Sequence, residues 1–103
     1  MVGIDLVDID DVRDALRAHG DRYLRRIYTA GEIEDSRGRP ELLAERFAAK
    51  EAALKVVRRK DEAIPWRAVE VRGDSVWIEG RAAGLAVTTS HEGPVAAAVV
   101  VAR

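Results

Sequence analysis

The sequence predicts an α+β fold in which one long helix packs on a small, mostly antiparallel sheet. Two observations support this prediction. Helical patterns dominate the chain up to Pro65, and strand pairs separated by short turns follow it. A length of 103 residues suits a single domain over residues 1–103 rather than two domains.

The first nineteen residues predict a strand followed by a helix. Residues 2–7 alternate between an apolar face and a face on which Asp5 lies between a glycine and a valine. A helix is expected over residues 9–19, because aspartates favour its N-terminus and Gly20 can end it. Asp5 is therefore a carboxylate without an evident partner on its strand face.

Three further helical segments are predicted before Pro65. A short helix fits residues 22–28, and Thr29 with Glu32 has the spacing of a capping box that starts another turn or two. Pro40 is a good first helical residue, and the helical pattern then continues to about Arg59.

The C-terminal part predicts two hairpins. Residues 66–72 and 75–79 flank a Gly-Asp pair, and residues 87–90 and 95–102 flank a His-Glu-Gly-Pro turn. Between the hairpins, the alanine-rich residues 80–86 are interpreted as a short helix.

Composition excludes several classes of protein. There is no cysteine, so disulfides and thiolate metal sites are excluded. No apolar run approaches the roughly 20 residues of a membrane span, and the first residues lack the pattern of a signal peptide, so we expect no membrane association and a cytoplasmic protein. The net charge is −1 and the pI is about 6.1, which disfavours nucleic-acid binding even though fourteen of seventeen basic residues are arginine.

The long helix contains the stretch ERFAAKEAALKV, in which charges lie among apolar residues. At about 100° per residue, Glu51 and Lys55 lie between two apolar ridges, while Arg46 and Lys50 are expected nearer solvent. One interpretation is an ordinary surface pair of Glu51 and Lys55. The other is a carboxylate in a partly apolar notch, which needs a cation; with Asp5 it would suit a divalent ion that grips phosphates.

Three blocks of sequence then resemble one family. They are GIDLVDI near the N-terminus, ERFAAKEAALKV in the long helix and SHEGPVAAAVVVA near the end. They resemble the motifs G-x-D-I-V-E-I, R-F-A-x-K-E-A-x-x-K and S-x-S-H of holo-acyl-carrier-protein synthases, the small 4′-phosphopantetheinyl transferases. The order and spacing agree over nearly the whole chain, so the resemblance implies a 4′-phosphopantetheinyl transferase-like fold.

The resemblance also implies an activity and a set of sites. These enzymes transfer the phosphopantetheine arm of coenzyme A to a serine of an acyl carrier protein, release adenosine 3′,5′-bisphosphate and need Mg²⁺. By position, Asp5 and Glu51 would hold the metal with Asp8 nearby, and Glu51 and Lys55 would be catalytic. The residues implied to bind coenzyme A are Arg46, Lys50, Lys55, Ser90 and His91.

The resemblance further implies protein partners. The family forms homotrimers with sites between subunits, and its carrier proteins are acidic. A docking face for the carrier protein would be formed by the arginines that follow the first aspartates, which are Arg13, Arg17, Arg22, Arg25 and Arg26. The alternative for this arginine run is a solvated helix face.

The chain departs from the family pattern after Lys55. The family has a glycine-rich loop there, whereas this chain reads VVRRKDEAIPW, in which Arg58, Arg59 and Lys60 would supply charge instead. Two functions therefore remain open at this point. One is a transferase of fatty-acid or polyketide synthesis, and the other is a non-catalytic relative that docks an acidic carrier protein without efficient coenzyme A turnover.

Overall fold

A computed structural model describes residues 1–57 and 63–103 of the chain. Within these residues five strands form one antiparallel sheet in the order β1-β5-β4-β3-β2. The strands are β1 (Val2–Asp8), β2 (Val69–Arg72), β3 (Ser75–Ile78), β4 (Arg81–Glu92) and β5 (Val95–Ala102). The helices of the described part are α1 (Ile9–His19), α2 (Asp21–Ile27), α3 (Ala30–Ser36) and α4 (Pro40–Val57). The predicted α+β fold with a long helix on an antiparallel sheet is confirmed.

The helix boundaries follow the local sequence signals. Helix α1 begins after Asp8, whose side chain accepts a hydrogen bond from the Asp10 backbone, and it ends at Gly20 with φ of 54°. Helix α3 has the predicted capping box between Thr29 and Glu32. Helix α4 starts at Pro40 as expected, whereas its predicted end near Arg59 lies outside the described residues.

Helix α4 packs against two groups of residues. Its alanine face lies on the sheet, where the buried core comprises Ala48, Ala49, Ala52, Ala53, Val69, Val71, Val76, Leu85, Val87, Ala98 and Val100. Its other side joins the short helices in a second core of Ile9, Val12, Ile27, Tyr28, Leu43, Ala44 and Ala96. The small side chains of the first core let the helix approach the sheet closely.

Two predicted elements differ in the structure. Residues 66–68 form a 3₁₀ turn before β2 instead of the start of a strand. The predicted helix over residues 80–86 is wrong, because residues 81–86 belong to β4, which pairs with β3 and β5. Gly84 has φ of 70° where the register between β3 and β4 shifts, so sheet pairing overrides the helix preference of the alanines.

The two faces of β1 have different environments. Gly3, Asp5 and Val7 face α4, while Val2, Ile4 and Leu6 are 62%, 57% and 67% exposed.

No helix among residues 1–57 and 63–103 is long and apolar enough to span a bilayer.

Candidate active site

A cleft of about 470 Å³ opens where β1, α1, α2 and α4 meet. All three residues predicted to hold a metal, Asp5, Asp8 and Glu51, line it together. The remaining lining residues are Leu6, Val7, Asp11, Val12, Ala15, Tyr23 and Phe47. Carboxylates thus share a partly apolar cleft, an arrangement that sequence spacing alone did not establish.

Gly3 brings the strand and the long helix together. A Cβ atom at this position would lie 2.3 Å from the Ala52 carbonyl oxygen and 2.8 Å from Val56 Cγ2. Only a residue without a side chain fits such an approach. The close packing places Asp5, two residues along β1, opposite the next turn of α4.

Lys55 is the residue of α4 that meets Asp5. Its Nζ donates to Asp5 Oδ1 at 2.8 Å and to the Ile4 carbonyl at 3.1 Å. The Lys55 side chain is 54% exposed and the Asp5 side chain 19% exposed. The strand carboxylate therefore has a cationic partner, and that cation also faces solvent, where an anionic ligand can reach it.

Glu51 has a different partner, which the sequence did not reveal. Trp66 Nε1 donates to Glu51 Oε1 at 2.6 Å, and both side chains are half-buried. The Trp66 ring also packs against Phe47, with ring centroids 5.9 Å apart. The surface pair of Glu51 with Lys55 is not what the structure shows, because Lys55 bonds to β1 instead.

Asp8 completes the carboxylate set at the end of β1. One of its oxygens caps α1 by accepting from the Asp10 backbone N–H at 2.9 Å. Its side chain is exposed, so the second oxygen is accessible from the cleft. The aspartate thus has a structural role that is compatible with a second role in ligand binding.

The donor set can be tested against the metal that the family resemblance implies. Within residues 1–57 and 63–103, no three carboxylate or imidazole groups converge as a ready-made metal cage. Mg²⁺ takes one or two carboxylates and completes its shell with water and substrate phosphate oxygens. The hard oxygen donors of Asp5 and Glu51 in one cleft fit that requirement.

Lys50 is not a surface residue, and the expectation that it lies near solvent is wrong. Its side chain and that of Glu32 are both 0% exposed, with Lys50 Nζ 2.6 Å from Glu32 Oε1 and 2.5 Å from the Val69 carbonyl. Burial lowers the pKa of Lys50, while the Glu32 carboxylate opposes that shift. A direct contact of Lys50 with coenzyme A is incompatible with this position.

Glu32 is buried, and capping helix α3 is only part of its role. Its Oε1 also accepts from the Thr29 backbone N–H at 2.9 Å, and its Oε2 accepts from the Val71 N–H at 2.8 Å. The pair of Lys50 and Glu32 therefore ties α3, α4 and β2 together. A helical wheel could not reveal this, because the wheel does not show which side the sheet covers.

Glu70 lies at the edge of the same region. The Thr29 hydroxyl donates to it, and Arg72 Nε lies 2.5 Å from its Oε1. These contacts, the hydroxyl first and the guanidinium second, lower the pKa of the Glu70 carboxyl below its ordinary value of 4.5.

His91 lies on β4 and is held by α4. Its Nδ1 is 2.5 Å from Glu45 Oε2, and Thr89 Oγ1 donates to the other Glu45 oxygen at 2.5 Å. His91 and the exposed Ser90 are not among the residues that line the carboxylate cleft of the same chain. Glu45 was not predicted, since nothing in the sequence places it opposite a strand residue 46 positions away.

Arg46 is half-buried on α4, next to Glu45. Its Nε atom is buried and has no acceptor among the described residues. An unpaired buried donor is costly, while the accessible part of the half-buried guanidinium can still donate to an anionic ligand.

The predicted docking arginines lie on α1 and α2. Arg13 contacts Asp10 at 2.8 Å and Glu41 at 3.3 Å, and Arg17 lies 3.9 Å from Asp14. Arg22, Arg25 and Arg26 are exposed. The face is thus solvent-accessible but is partly neutralised by its own aspartates.

Two tyrosines support the wall of the cleft. Tyr28 is fully buried and donates to the Leu43 carbonyl at 3.1 Å, while the hydroxyls of Tyr23 and Tyr28 lie 2.8 Å apart. Burial raises the pKa of both phenols, so both remain protonated at neutral pH. Because Tyr28 donates to Leu43, Tyr23 donates to Tyr28, which fixes α2 against α4 beside Glu51.

The departure after Lys55 falls on residues that the structure does not describe. Arg58, Arg59 and Lys60, proposed to replace a glycine-rich loop, lie outside the described residues. Their role therefore stays a prediction.

Comparison with known proteins agrees with the fold and the motifs. A holo-[acyl-carrier-protein] synthase of Chlamydia trachomatis is 41% identical over 78 residues, which span 72% of this chain and 66% of that protein, just under two thirds of its length. The synthase of Helicobacter pylori in complex with coenzyme A has the same fold, with a TM-score of 0.85 at 23% identity over 98% of both chains.

A synthase of Bacillus anthracis in complex with CoA (3′,5′-ADP) has a TM-score of 0.70 and 28% identity, covering 96% of this chain and 91% of that one. The model of one family, the 4′-phosphopantetheinyl transferase superfamily, matches residues 1–99. With that match over almost its whole length, this chain belongs to the 4′-phosphopantetheinyl transferase superfamily.

Proposed function

We propose that this chain is a holo-acyl-carrier-protein synthase. It transfers the 4′-phosphopantetheine moiety of coenzyme A to a serine of an apo acyl carrier protein, and it releases adenosine 3′,5′-bisphosphate in a Mg²⁺-dependent reaction. The observation that carries the proposal is the shared cleft of Asp5, Asp8 and Glu51 with Lys55 beside it. The named activity of the Chlamydia relative and the CoA in the Bacillus complex support the choice of substrates.

In this proposal Asp5 and Glu51 would hold Mg²⁺, and Asp8 would lie beside it. The ion would offset the negative charge of the coenzyme A pyrophosphate as its P–O bond breaks. Lys55 would provide a second positive charge, because its exposed Nζ can reach a phosphate from its place beside Asp5.

Glu51 is also the proposed base. A serine hydroxyl is a poor nucleophile until its proton is removed. The proton would pass to Glu51, directly or through a bound water, the serine oxygen would bond to phosphorus, and adenosine 3′,5′-bisphosphate would leave with the electron pair of the broken bond. The cleft is lined by Phe47 and Val12 beside these carboxylates, which limits the access of water.

The rest of coenzyme A would bind to Arg46, Ser90 and His91. Arg46 supports this assignment because its side chain is only half-buried and a guanidinium offers further donors to an anionic ligand, and His91 does so through the fixed orientation given by Glu45. Lys50 is not retained, since it is buried against Glu32. His91 lies apart from the cleft of its own chain, so a site shared between subunits would reconcile the two positions.

A homotrimer is the assembly that the family implies, and one surface supports association. The outer face of β1 and β5 exposes Val2, Ile4, Leu6, Val95 and Val101. Such contiguous apolar surface on a small protein marks an interaction site. Ile4→Glu should therefore reduce the mass measured by light scattering from trimer to monomer, and an unchanged mass would reject this face as the interface.

The carrier protein would dock on the exposed arginines of α1 and α2. Opposite charge would accelerate encounter with an acidic partner, and added salt would weaken it. We place the activity in the cytoplasm, on a carrier protein of fatty-acid or polyketide synthesis, with residues 1–103 acting as one domain.

Intact-mass spectrometry tests the proposal directly. An apo acyl carrier protein is incubated with this chain, coenzyme A and Mg²⁺, beside a sample with EDTA. The carrier protein should gain one phosphopantetheine mass only with Mg²⁺, and Glu51→Gln and Asp5→Asn should abolish the gain while the chain stays folded. Near-normal transfer by either variant would refute the assigned roles.

The second candidate is a non-catalytic relative that docks a carrier protein. The departure from the family pattern after Lys55 is the observation that favours it. Titration with coenzyme A separates the two candidates, because the relative would show no Mg²⁺-dependent binding of coenzyme A.

A further inference from the structure

The indole N–H of Trp66 donates a hydrogen bond to one oxygen of the Glu51 carboxylate. The Nε1 to Oε1 distance is 2.6 Å, shorter than an ordinary N–H···O bond. Indole nitrogen can only donate, so the bond requires an acceptor oxygen on Glu51. Glu51 is therefore held in one orientation by a neutral donor that cannot itself bind a cation.

The turn that carries Trp66 is hydrogen-bonded to the sheet. This 3₁₀ turn is closed by a bond from the Ala68 N–H to the Pro65 carbonyl at 3.0 Å. The Ala68 carbonyl accepts from the Glu79 N–H at 2.8 Å, which attaches the turn to the end of β3. On the other side, the ring packs against Phe47 of α4. The indole thus connects the sheet end to the carboxylate of the helix.

Each of the two carboxylates proposed to bind the metal has one oxygen hydrogen-bonded to a neighbouring side chain. Lys55 contacts Oδ1 of Asp5, and Trp66 contacts Oε1 of Glu51. One oxygen of each carboxylate is thereby occupied. Among residues 1–57 and 63–103 no group bonds to Asp5 Oδ2 or Glu51 Oε2, so these two oxygens can face a ligand. Mg²⁺ needs only one or two protein oxygens when phosphate and water supply the rest.

We infer that Trp66 is a positioning residue, whose indole N–H fixes Glu51 so that Oε2 alone is presented to Mg²⁺ and the substrate. The inference rests on the proposed function. Residues that hydrogen-bond a metal ligand orient it, and their loss typically lowers metal affinity or activity about 10- to 100-fold.

Trp66→Phe tests the inference, because it removes the N–H and keeps most of the ring. Trp77→Phe is the matched control, because Trp77 lies on β3 and does not line the cleft. Its ring packs under the Arg72 guanidinium, whose Cζ lies 4.2 Å from the ring centroid. Trp66→Phe should weaken Mg²⁺-dependent coenzyme A binding in calorimetry about 10- to 100-fold. In kinetics it should lower kcat and raise the Mg²⁺ requirement while the KM for carrier protein stays unchanged.

A spectroscopic measurement keeps the test valid if Trp66→Phe does not fold. The chain has two tryptophans, so the Trp77→Phe variant gives a single indole N–H signal in a ¹H–¹⁵N spectrum. Adding Glu51→Gln to that background should move this signal upfield, because an amide oxygen is a weaker acceptor than a carboxylate. Adding Mg²⁺ with coenzyme A should also shift it.

The outcomes separate the inference from the proposed function. An indole signal that does not respond to Glu51→Gln, or a Trp66→Phe variant that binds Mg²⁺ and coenzyme A like the wild type, overturns the inference alone. A wild-type chain that transfers nothing, yet shows the Glu51-dependent indole signal, refutes the proposed function and leaves the hydrogen bond intact.

Discussion

Gly3 offers the sharpest test of how the fold builds the cleft. Gly3→Ala introduces a single methyl group at the contact between β1 and α4. The new Cβ atom would lie 2.3 Å from a backbone oxygen of Ala52 and 2.8 Å from Val56 Cγ2. A backbone atom cannot rotate away as a side-chain end can, so the strand and the helix must separate by about 1 Å to restore van der Waals contact.

The expected cost follows from this displacement. Overpacking of a well-packed core costs about 1–3 kcal/mol. We expect a value near the upper limit, about 3 kcal/mol, because the displaced atoms belong to two backbones and the alanine face of α4 loses contact over its length. For a chain of this size the melting temperature should fall by roughly 15 °C. Transfer should fall too, because the bonds from Lys55 to Asp5 and to the Ile4 carbonyl would lengthen.

Urea unfolding at a fixed protomer concentration measures the loss. Gly38→Ala is the matched control, because a Cβ at Gly38 meets nothing within 4 Å although φ is 68°. That variant should lose about 1–2 kcal/mol from backbone strain alone and keep its activity. If Gly3→Ala were no less stable than Gly38→Ala, the close approach of β1 and α4 would not be what positions Asp5.

Three further predictions concern charges. Lys50→Met should lower the free energy of unfolding in urea by about 3–5 kcal/mol, because it leaves the buried Glu32 carboxylate without its cation. Lys55→Met, at an exposed position, should lower it by less than about 1 kcal/mol and yet abolish transfer. Glu70 has a pKa lowered by its partners, so it stabilises the fold above its ordinary value of 4.5 and ceases to do so as the pH falls through its folded value; Glu70→Gln should flatten the loss of unfolding free energy below pH 4.5. Reversing Arg17 and Arg25 to Glu should raise the KM for carrier protein and leave that for coenzyme A unchanged.

Each of these predictions has a discriminating control. Adding Glu32→Gln to Lys50→Met should recover part of the lost stability. A loss equal to the sum of the two single losses would show that Lys50 and Glu32 do not stabilise each other. A pH profile of stability that is the same with and without Glu70 would contradict the assigned contacts. For the docking face, Arg81→Glu changes an exposed arginine on β4, and an equal rise in KM there would show that charge alone, not location, matters.

Local signals in the sequence were sufficient for most of the fold. The bounds of α1, the capping box at Thr29, the start of α4 at Pro40 and the strand of residues 95–102 follow from caps, proline geometry and alternation. These features depend on neighbours in sequence. The helix wrongly predicted over residues 80–86 is the exception, because pairing with β3 and β5 determines the conformation there.

In the candidate site, too, local patterns identify some residues, while others depend on contacts between distant parts of the chain. The carboxylates of Asp5 and Glu51 were recognised from their odd apolar surroundings and from the family motifs. Lys50 was misplaced because periodicity gives the angle around a helix but not the direction of the sheet. Trp66 and Glu45 were missed because their contacts span 15 and 46 residues and involve no repeating pattern.

The alternation of β1 has a consequence for how mutants of this protein are interpreted. Asp5 points into the cleft, while its neighbour Ile4 points out to the exposed apolar face. Only the thickness of one backbone separates the two surfaces, and the Ile4 carbonyl itself accepts from Lys55. A substitution or an inhibitor that disturbs the outer face therefore moves the cleft, so loss of activity alone cannot distinguish an interface residue from a catalytic one. A ligand bound to the outer face of β1 would therefore alter the cleft without occupying it.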